Sequence, residues 1–327
     1  MKVLRWVPVL VVSSVVVWSY YAYVIQLCLF TLKCSTQRGN RHTLTCILVL
    51  YLSVFHVCFL MFCWSFWKTL STRATSPSSL FHLPDTQHYD LPDSIEMNEE
   101  ILLKIAHKLP LHTRTATGAF RFCRHCQLIK PDRCHHCSAC QICVLKMDHH
   151  CLWLNNCIGF SNYKFFLLFL LYSLLYCCYV VATVTPSFVH LWLSGMFDSS
   201  SKLHVLFLTL VSAMFLLTLF CLLVFHCWLV ANNRTTLEWL SAPFFPDGPD
   251  SGAFDVNVRK NISQVFGQDW KLWLFPVSSS QGDGHSFPLR KRIASHHSII
   301  ANGVECLDRE GVVVSQDSCN VAIAIDD

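Results

Sequence analysis

Four stretches of this chain, Val7–Leu32, Thr43–Trp67, Phe165–Val184 and Val205–Val230, contain no Asp, Glu, Lys or Arg. Each is about as long as the roughly 20 residues a helix needs to cross a bilayer. Composition agrees: 53% of the 327 residues are hydrophobic and 14% are charged, too apolar and too charge-poor for an ordinary soluble domain. The expected fold is an all-α polytopic membrane protein with four transmembrane helices, rather than a soluble domain with buried core helices. Lys2 and Arg5 precede the first run as they would in a signal peptide. The run is too long for one, however, and continues through Trp18, Tyr20, Tyr21 and Tyr23 without a small-residue cleavage site, so it reads as a membrane anchor.

Four spans place both termini and the long 68–162 segment on one side. That side holds all but four of the 25 Lys and Arg, which favours the cytosol, although Lys33, Arg38 and Arg41 in the short 33–42 connection argue the other way. Cysteine usage is the better guide. Cys-x2-Cys pairs interleaved with His suit thiolate metal ligands in a reducing compartment better than disulfides. On that side neither the Asn233-Arg-Thr nor the Asn261-Ile-Ser sequon would be glycosylated.

Between Cys123 and Cys157 lie eight Cys and five His. Shifted by 14 residues the segment overlays on itself, Cys123 on Cys137, Cys126 on Cys140, His136 on His150 and Cys143 on Cys157. Each set spells Cys-x2-Cys-x9-His-x6-Cys, the donor set of a closed tetrahedral structural zinc. The expectation is two zinc ions, on Cys123/Cys126/His136/Cys143 and on Cys137/Cys140/His150/Cys157. The sets interleave as in a RING module, but the Cys-x2-Cys pairs here are too close together for that fold.

Subtraction isolates a thiol. Two closed sites leave Cys134 and Cys151 unused, together with His125, His135 and His149. Cys151 lies two residues from His149 and three from Asp148: a thiol, a base and a carboxylate to fix the imidazole tautomer are the parts of an activated nucleophile. Adjacency in sequence does not make side chains face one another, so spacing alone leaves catalysis open. Cys134 lacks such neighbours and reads as a filler thiol.

With Asp148-His149-His150-Cys151 in a cysteine-rich segment between the second and third of four spans, the chain resembles the DHHC protein S-acyltransferases. The similarity runs from VVVWSYYAYV through LIKPDRCHHC, VLKMDHHC and NNCIGFSNYKFFLLFL to NRTTLEWL and QVFG. The resemblance implies a protein-cysteine S-palmitoyltransferase. Cys151 would take a long-chain acyl group from acyl-CoA and pass it to cysteines of membrane-associated proteins, beside two structural zincs. It also implies that Thr235, Thr236 and Glu238 match a TTxE motif, which read bare is a helix capping box. Asn261 matches a C-terminal motif asparagine expected to satisfy buried backbone groups. One departure stands out: the family continues the DHHC motif with Pro-Trp, and this chain has Leu152-Trp153. Leucine loosens the turn after the nucleophile, which keeps a rival reading open, a membrane-anchored zinc scaffold weakened in catalysis. A zinc transporter is weaker still, because His56 and His226 in the spans have no acidic partner there.

Further substrate contacts are expected. Lys130, Arg133 and His135 cluster beside the zinc loop, where they could bind the phosphates of CoA or form an ordinary solvated basic face. Trp153 is placed with the substrate. Tyr176 lies about 24 Å along the third span at the helical rise, comparable with a palmitoyl chain, and Ser19 near mid-depth of the first span could hydrogen-bond it and close an acyl pocket. The expected organisation is 1–67 for the first two spans, 68–118 for a cytosolic connector with a helix over Glu99–Lys108, and 119–162 for the cysteine-rich domain. The last two spans follow at 163–230, C-terminal motifs at 231–280, and a mostly disordered polar tail at 281–327 containing Arg290-Lys291-Arg292. The partners implied are acyl-CoA, substrate proteins with juxtamembrane cysteines and the lipid bilayer, with no nucleic acid. The host membrane would be that of the Golgi, endoplasmic reticulum or plasma membrane, with the active site on the cytosolic face.

Overall fold

Pro8 sits in the first turn of α1 (Val7–Tyr21), where its missing N–H costs no hydrogen bond. The helix continues in wider π-type turns over Ala22–Leu27. A computed structural model of the chain describes residues 4–27, 41–82, 102–194, 199–290 and 323–325. Three further long helices follow: α2 (Arg41–Ser71), α3 (Tyr163–Ser194) and α4 (Ser199–Ala231). Among the described residues, four segments are long and apolar enough to cross a membrane: Leu4–Ile25, Leu48–Ser71, Tyr163–Pro186 and Leu203–Ala231.

The chain divides into two compact units, one of residues 1–73, 150–228 and 265–280, the other of 74–149, 229–264 and 281–327. In the first, α2 and α3 pack along their lengths. Its core gathers Ala22, Tyr23, Phe55, Tyr176, Val180 and Val184, with the Tyr23 and Phe55 rings stacked at 4.1 Å. Two buried hydroxyls of α2 are satisfied within the helix, Ser65 donating to Phe62 O and Thr69 to Ser65 O. The carbonyls at the end of α2 are met by side-chain amides: Asn156 Nδ2 donates to Thr69 O and Thr72 O, and Asn162 Nδ2 to Thr72 O. Lys164, buried in the first turn of α3, donates to Leu272 O, Val277 O and Ser279 Oγ, tying the 272–279 segment to this unit.

The cysteine-rich segment departs from the all-α expectation. It folds as three short hairpins: β1 (Phe120–Cys123) with β2 (Leu128–Ile129), β3 (His135–Cys137) with β4 (Ile142–Val144), and β5 (His149–Cys151) with β6 (Asn156–Ile158). The Cys-x2-Cys ligands, three residues apart, sit at the tight turns that join the first two pairs of strands. The three hairpin turns each hold a left-handed non-glycine residue, Gln127, Gln141 and Asn155, at φ 50°, 58° and 44°. Their 14-residue spacing is the sequence repeat made physical. β5 carries the chain from the second unit into the first.

Around the first two hairpins the second unit packs a small apolar core. Phe120, Phe122 and Ile129 pack with Phe81, Leu102, Ala106 and Leu109. Residues 102–106 are helical, within the connector helix expected over Glu99–Lys108, whose first residues lie outside the described ones. α5 (Thr236–Leu240), the β7 (Phe244–Phe245) and β8 (Gly248–Pro249) pair, and α6 (Val258–Phe266) follow. Part of the expected tail is ordered: residues 281–290 pack on this unit, and β9 (Ile323–Ile325) pairs in parallel with β1. The polar composition concealed this because the anchors are backbone amides, the His285 ring and one buried apolar ring, Phe287. Residues 291–322 lie outside the described ones.

Candidate active site and metal centres

The first Cys3His set is assembled within the second unit by two hairpins. Cys123 ends β1, Cys126 follows in the turn, and His136 and Cys143 face each other across β3 and β4. One ligand atom from each residue lies within 4.8 Å of the others. His136 Nδ1 is 3.5, 3.4 and 3.9 Å from the sulfurs of Cys123, Cys126 and Cys143. Tetrahedral zinc with ordinary Zn–S and Zn–N bonds requires about 3.5 Å between such donors. The donor set and its geometry fit zinc. Burial, with the Cys143 and Cys123 thiols next in weight, pushes Cys126 up to about 12, a cluster that a dication would ionise.

In the second set, Cys137 and Cys140 form the same knuckle in the second unit, the Cys140 N–H donating to Cys137 Sγ at 3.4 Å. His150 and Cys157 belong to the first, with Nδ1 and Sγ 3.5 Å apart. Cys134 is fully buried against the ligands Cys123 and Cys143.

The third hairpin explains the spare thiol. Cys151 occupies the position of Cys123 and Cys137, the first thiol of a knuckle, while the second-thiol position filled by Cys126 and Cys140 is here Leu154, buried at 1% exposure. The turn is kept, Leu154 N–H bonding to Cys151 O. It is a zinc knuckle without its second ligand.

In the second unit, His149 Nδ1 lies 2.7 Å from Asp148 Oδ2, and Asp148 is 1% exposed. Thr236 donates to the same carboxylate twice, from its N–H to Oδ1 at 2.9 Å and from its hydroxyl to Oδ2 at 2.7 Å. A carboxylate so held fixes the imidazole with the proton on Nδ1, which makes Nε2 the basic nitrogen. Thr236 opens α5, and Thr235 and Glu238 form a complete capping box: Glu238 N–H donates to Thr235 Oγ1, and Thr235 N–H to Glu238 Oε2.

Arg133 does not serve as a phosphate ligand. It is 2% exposed, and its guanidinium is spent on Glu238 Oε1 and Oε2 and on Asn233 Oδ1 and O. Lys130 is 5% exposed, and burial, then the Arg121 and Lys130 charges, hold His135 well below its ordinary value, so it is neutral. Asn261 Nδ2 donates to Ala231 O at the end of α4 and to Asp255 Oδ1. In the first unit Ser19 Oγ and Tyr176 Oη are 3.0 Å apart, both buried, with Tyr176 packed among Phe55, Phe59 and Phe62. Trp153 and Leu152 stand exposed beside Cys151.

A DHHC palmitoyltransferase family profile matches residues 116–243. Palmitoyltransferase ZDHHC15A of Danio rerio is 59% identical over 99% of this chain and 97% of its own. The chain belongs to the DHHC palmitoyltransferase family. Palmitoyltransferase ZDHHC20 of Homo sapiens is 52% identical over 88% of this chain and 78% of its own, and Palmitoyltransferase ZDHHC15 of Homo sapiens is 49% identical over 94% and 89%. This DHHC enzyme contains several site residues that sequence spacing did not single out. Asn233 and Lys146 flank Arg133, with Lys146 Nζ 3.3 Å from Asn233 Oδ1. A charge within VLKMDHHC was the available signal for Lys146, and for Asn233 its place at the start of NRTTLEWL.

Proposed function

We propose that Cys151 is the acyl-accepting nucleophile of this palmitoyltransferase, with His149 as its base and Asp148 as the carboxylate that orients the base. The Cys151 thiolate attacks the thioester carbonyl of a long-chain acyl-CoA and expels the CoA thiolate, leaving a thioester on Cys151. A cysteine thiolate of a membrane-associated protein then attacks that thioester and frees Cys151. His149 takes the proton of the attacking thiol in each half and returns it to the leaving thiolate. The observation that carries this reading is the 2.7 Å contact of His149 with a carboxylate held by two Thr236 donors. Zinc in the two Cys3His sets, Cys123/Cys126/His136/Cys143 and Cys137/Cys140/His150/Cys157, holds the hairpins and does no chemistry.

The acyl chain is assigned to the helices, between Ser19 and Tyr176 at its far end and Trp153 at its entrance. The active site faces the cytosol, on a Golgi, endoplasmic reticulum or plasma membrane, and the substrates present juxtamembrane cysteines. The test is incubation of purified protein with labelled palmitoyl-CoA. Wild type takes up hydroxylamine-labile label and holds two zincs, whereas Cys151→Ser takes up none and still holds both. Label on Cys151→Ser, or its loss of a zinc, sinks the assignment.

A further inference from the structure

Residues 281–290 form a strap across the second unit. At its start the Gln281 N–H donates to Gln264 O at 3.0 Å, and at its end the Arg290 N–H donates to Ala253 O at 2.7 Å. Between them the Asp283 carboxylate accepts the N–H groups of His285 and Ser286, and Gly282 and Gly284 take φ of 90° and 78°, which suit glycine. His285 Nε2 accepts the Ser78 N–H, and its ring stacks on Phe81 at 5.0 Å. So pinned, the strap buries one aromatic ring, Phe287, at 9% exposure.

The ring meets two cations. Phe287 lies 5.0 Å from the Arg133 guanidinium and 5.5 Å from the Lys146 ammonium, and Phe254, edge-on to Phe287, lies 4.5 Å from the same guanidinium. The N–H edge of Arg133 is spent on Glu238 and Asn233, so what remains of a planar cation is its faces, the part an aromatic ring covers well. Glu238 Oε2 accepts both from Arg133 Nη2 and from the Thr235 N–H. The next residue, Thr236, holds the Asp148 carboxylate that binds His149. A contiguous chain of short contacts therefore runs from the strap to the imidazole.

We propose that Phe287 is a positioning residue for acyl transfer: by covering the buried Arg133 and Lys146 cations it keeps water from the Arg133–Glu238 pair, and so holds the α5 N-terminus from which Thr236 aims Asp148 at His149. This rests on the reading of Asp148 and His149 as orienting carboxylate and base. Water admitted to the pair competes for Glu238, the capping box relaxes, and the carboxylate loses its aim. Acyl-CoA binding is not involved, so the maximal rate falls while the concentration for half-saturation stays.

The experiment is single-turnover self-acylation of purified full-length protein with labelled palmitoyl-CoA, alongside zinc content. Phe287→Ala is expected to lower the maximal rate about tenfold, with half-saturation changed by less than about twofold and zinc unchanged, and Phe287→Tyr, which keeps the ring, to recover most of the rate. Phe287→Leu keeps the volume without the ring; its expected loss is about threefold, and it decides the matter if the alanine variant does not fold. A wild-type maximal rate in Phe287→Leu, or in folded Phe287→Ala, overturns the proposal, as does a loss confined to half-saturation. Asp148→Asn is run in parallel. If it keeps the wild-type rate, the reading of the base has failed; if it is slow while Phe287→Leu and folded Phe287→Ala are at wild-type rate, the strap proposal alone has failed.

Discussion

Arg133 and Glu238 meet in the second unit through two charge-assisted hydrogen bonds of 2.6 and 2.7 Å, at a site where neither side chain is more than 5% exposed. The pair joins the turn before β3 to the capping box of α5. Removing one partner strands the other charge in a dry site, a loss on the order of 3–5 kcal/mol. Arg133→Lys cannot reproduce the fork. Glu238→Gln and Arg133→Lys are therefore both expected to lower the unfolding free energy by several kcal/mol and to slow self-acylation, read by denaturant titration and by label uptake. A loss below about 1 kcal/mol in both variants would show that water already reaches the pair.

Lys146 gives the same region a pH signature. Burial, with Arg133 next, holds its ammonium down to about 7, while Glu238 and Asp148 oppose the shift. An unfolded lysine titrates near ~10.4, so between about 7 and about 10 the unfolded chain binds more protons than the folded one. The Lys146 contribution to stability thus rises with pH across that window, is complete above it, and is lost as pH falls towards 7. Lys146→Met removes this dependence. Its stability advantage over wild type is expected to shrink with rising pH by about 1.4 kcal/mol per unit; a difference independent of pH contradicts the assignment.

The 3.0 Å contact of Ser19 with Tyr176 is the proposed far end of the acyl pocket. Opening it with Tyr176→Ala is expected to shift preference towards chains longer than palmitate, and filling it with Ser19→Phe towards shorter ones. Competition among acyl-CoAs of graded length is the measurement. Unchanged profiles in both variants rule the pair out as a ruler.

Leu154 marks where the third hairpin differs from the zinc knuckles. Leu154→Cys restores the Cys-x2-Cys spacing to Cys151 and makes a two-thiolate chelate. Under reducing conditions self-acylation of this variant should fall at least about tenfold with excess zinc and recover on chelation, with wild type unaffected. Equal behaviour of the two proteins would mean that Cys151 does not sit in knuckle geometry.

Spacing and charge alone disclosed the four spans, the 14-residue repeat with its first Cys3His set, and the unused thiol at Cys151. These are local properties: a helix must hide its backbone within its own length, and a chelating turn must close within a few residues, so both leave their mark in contiguous sequence. The same locality misled where helical spans implied an all-α chain, because a knuckle turn needs strands too short to show a period. Only the tertiary structure decided that Arg133 answers Glu238 and not a phosphate, that Thr236 grips Asp148, and that Phe287 covers two buried cations. Those partners lie tens to hundreds of residues apart in sequence. A lone Arg or Phe reads the same whether solvated or buried, and burial is what converts it from a surface residue into part of the network around Asp148 and His149.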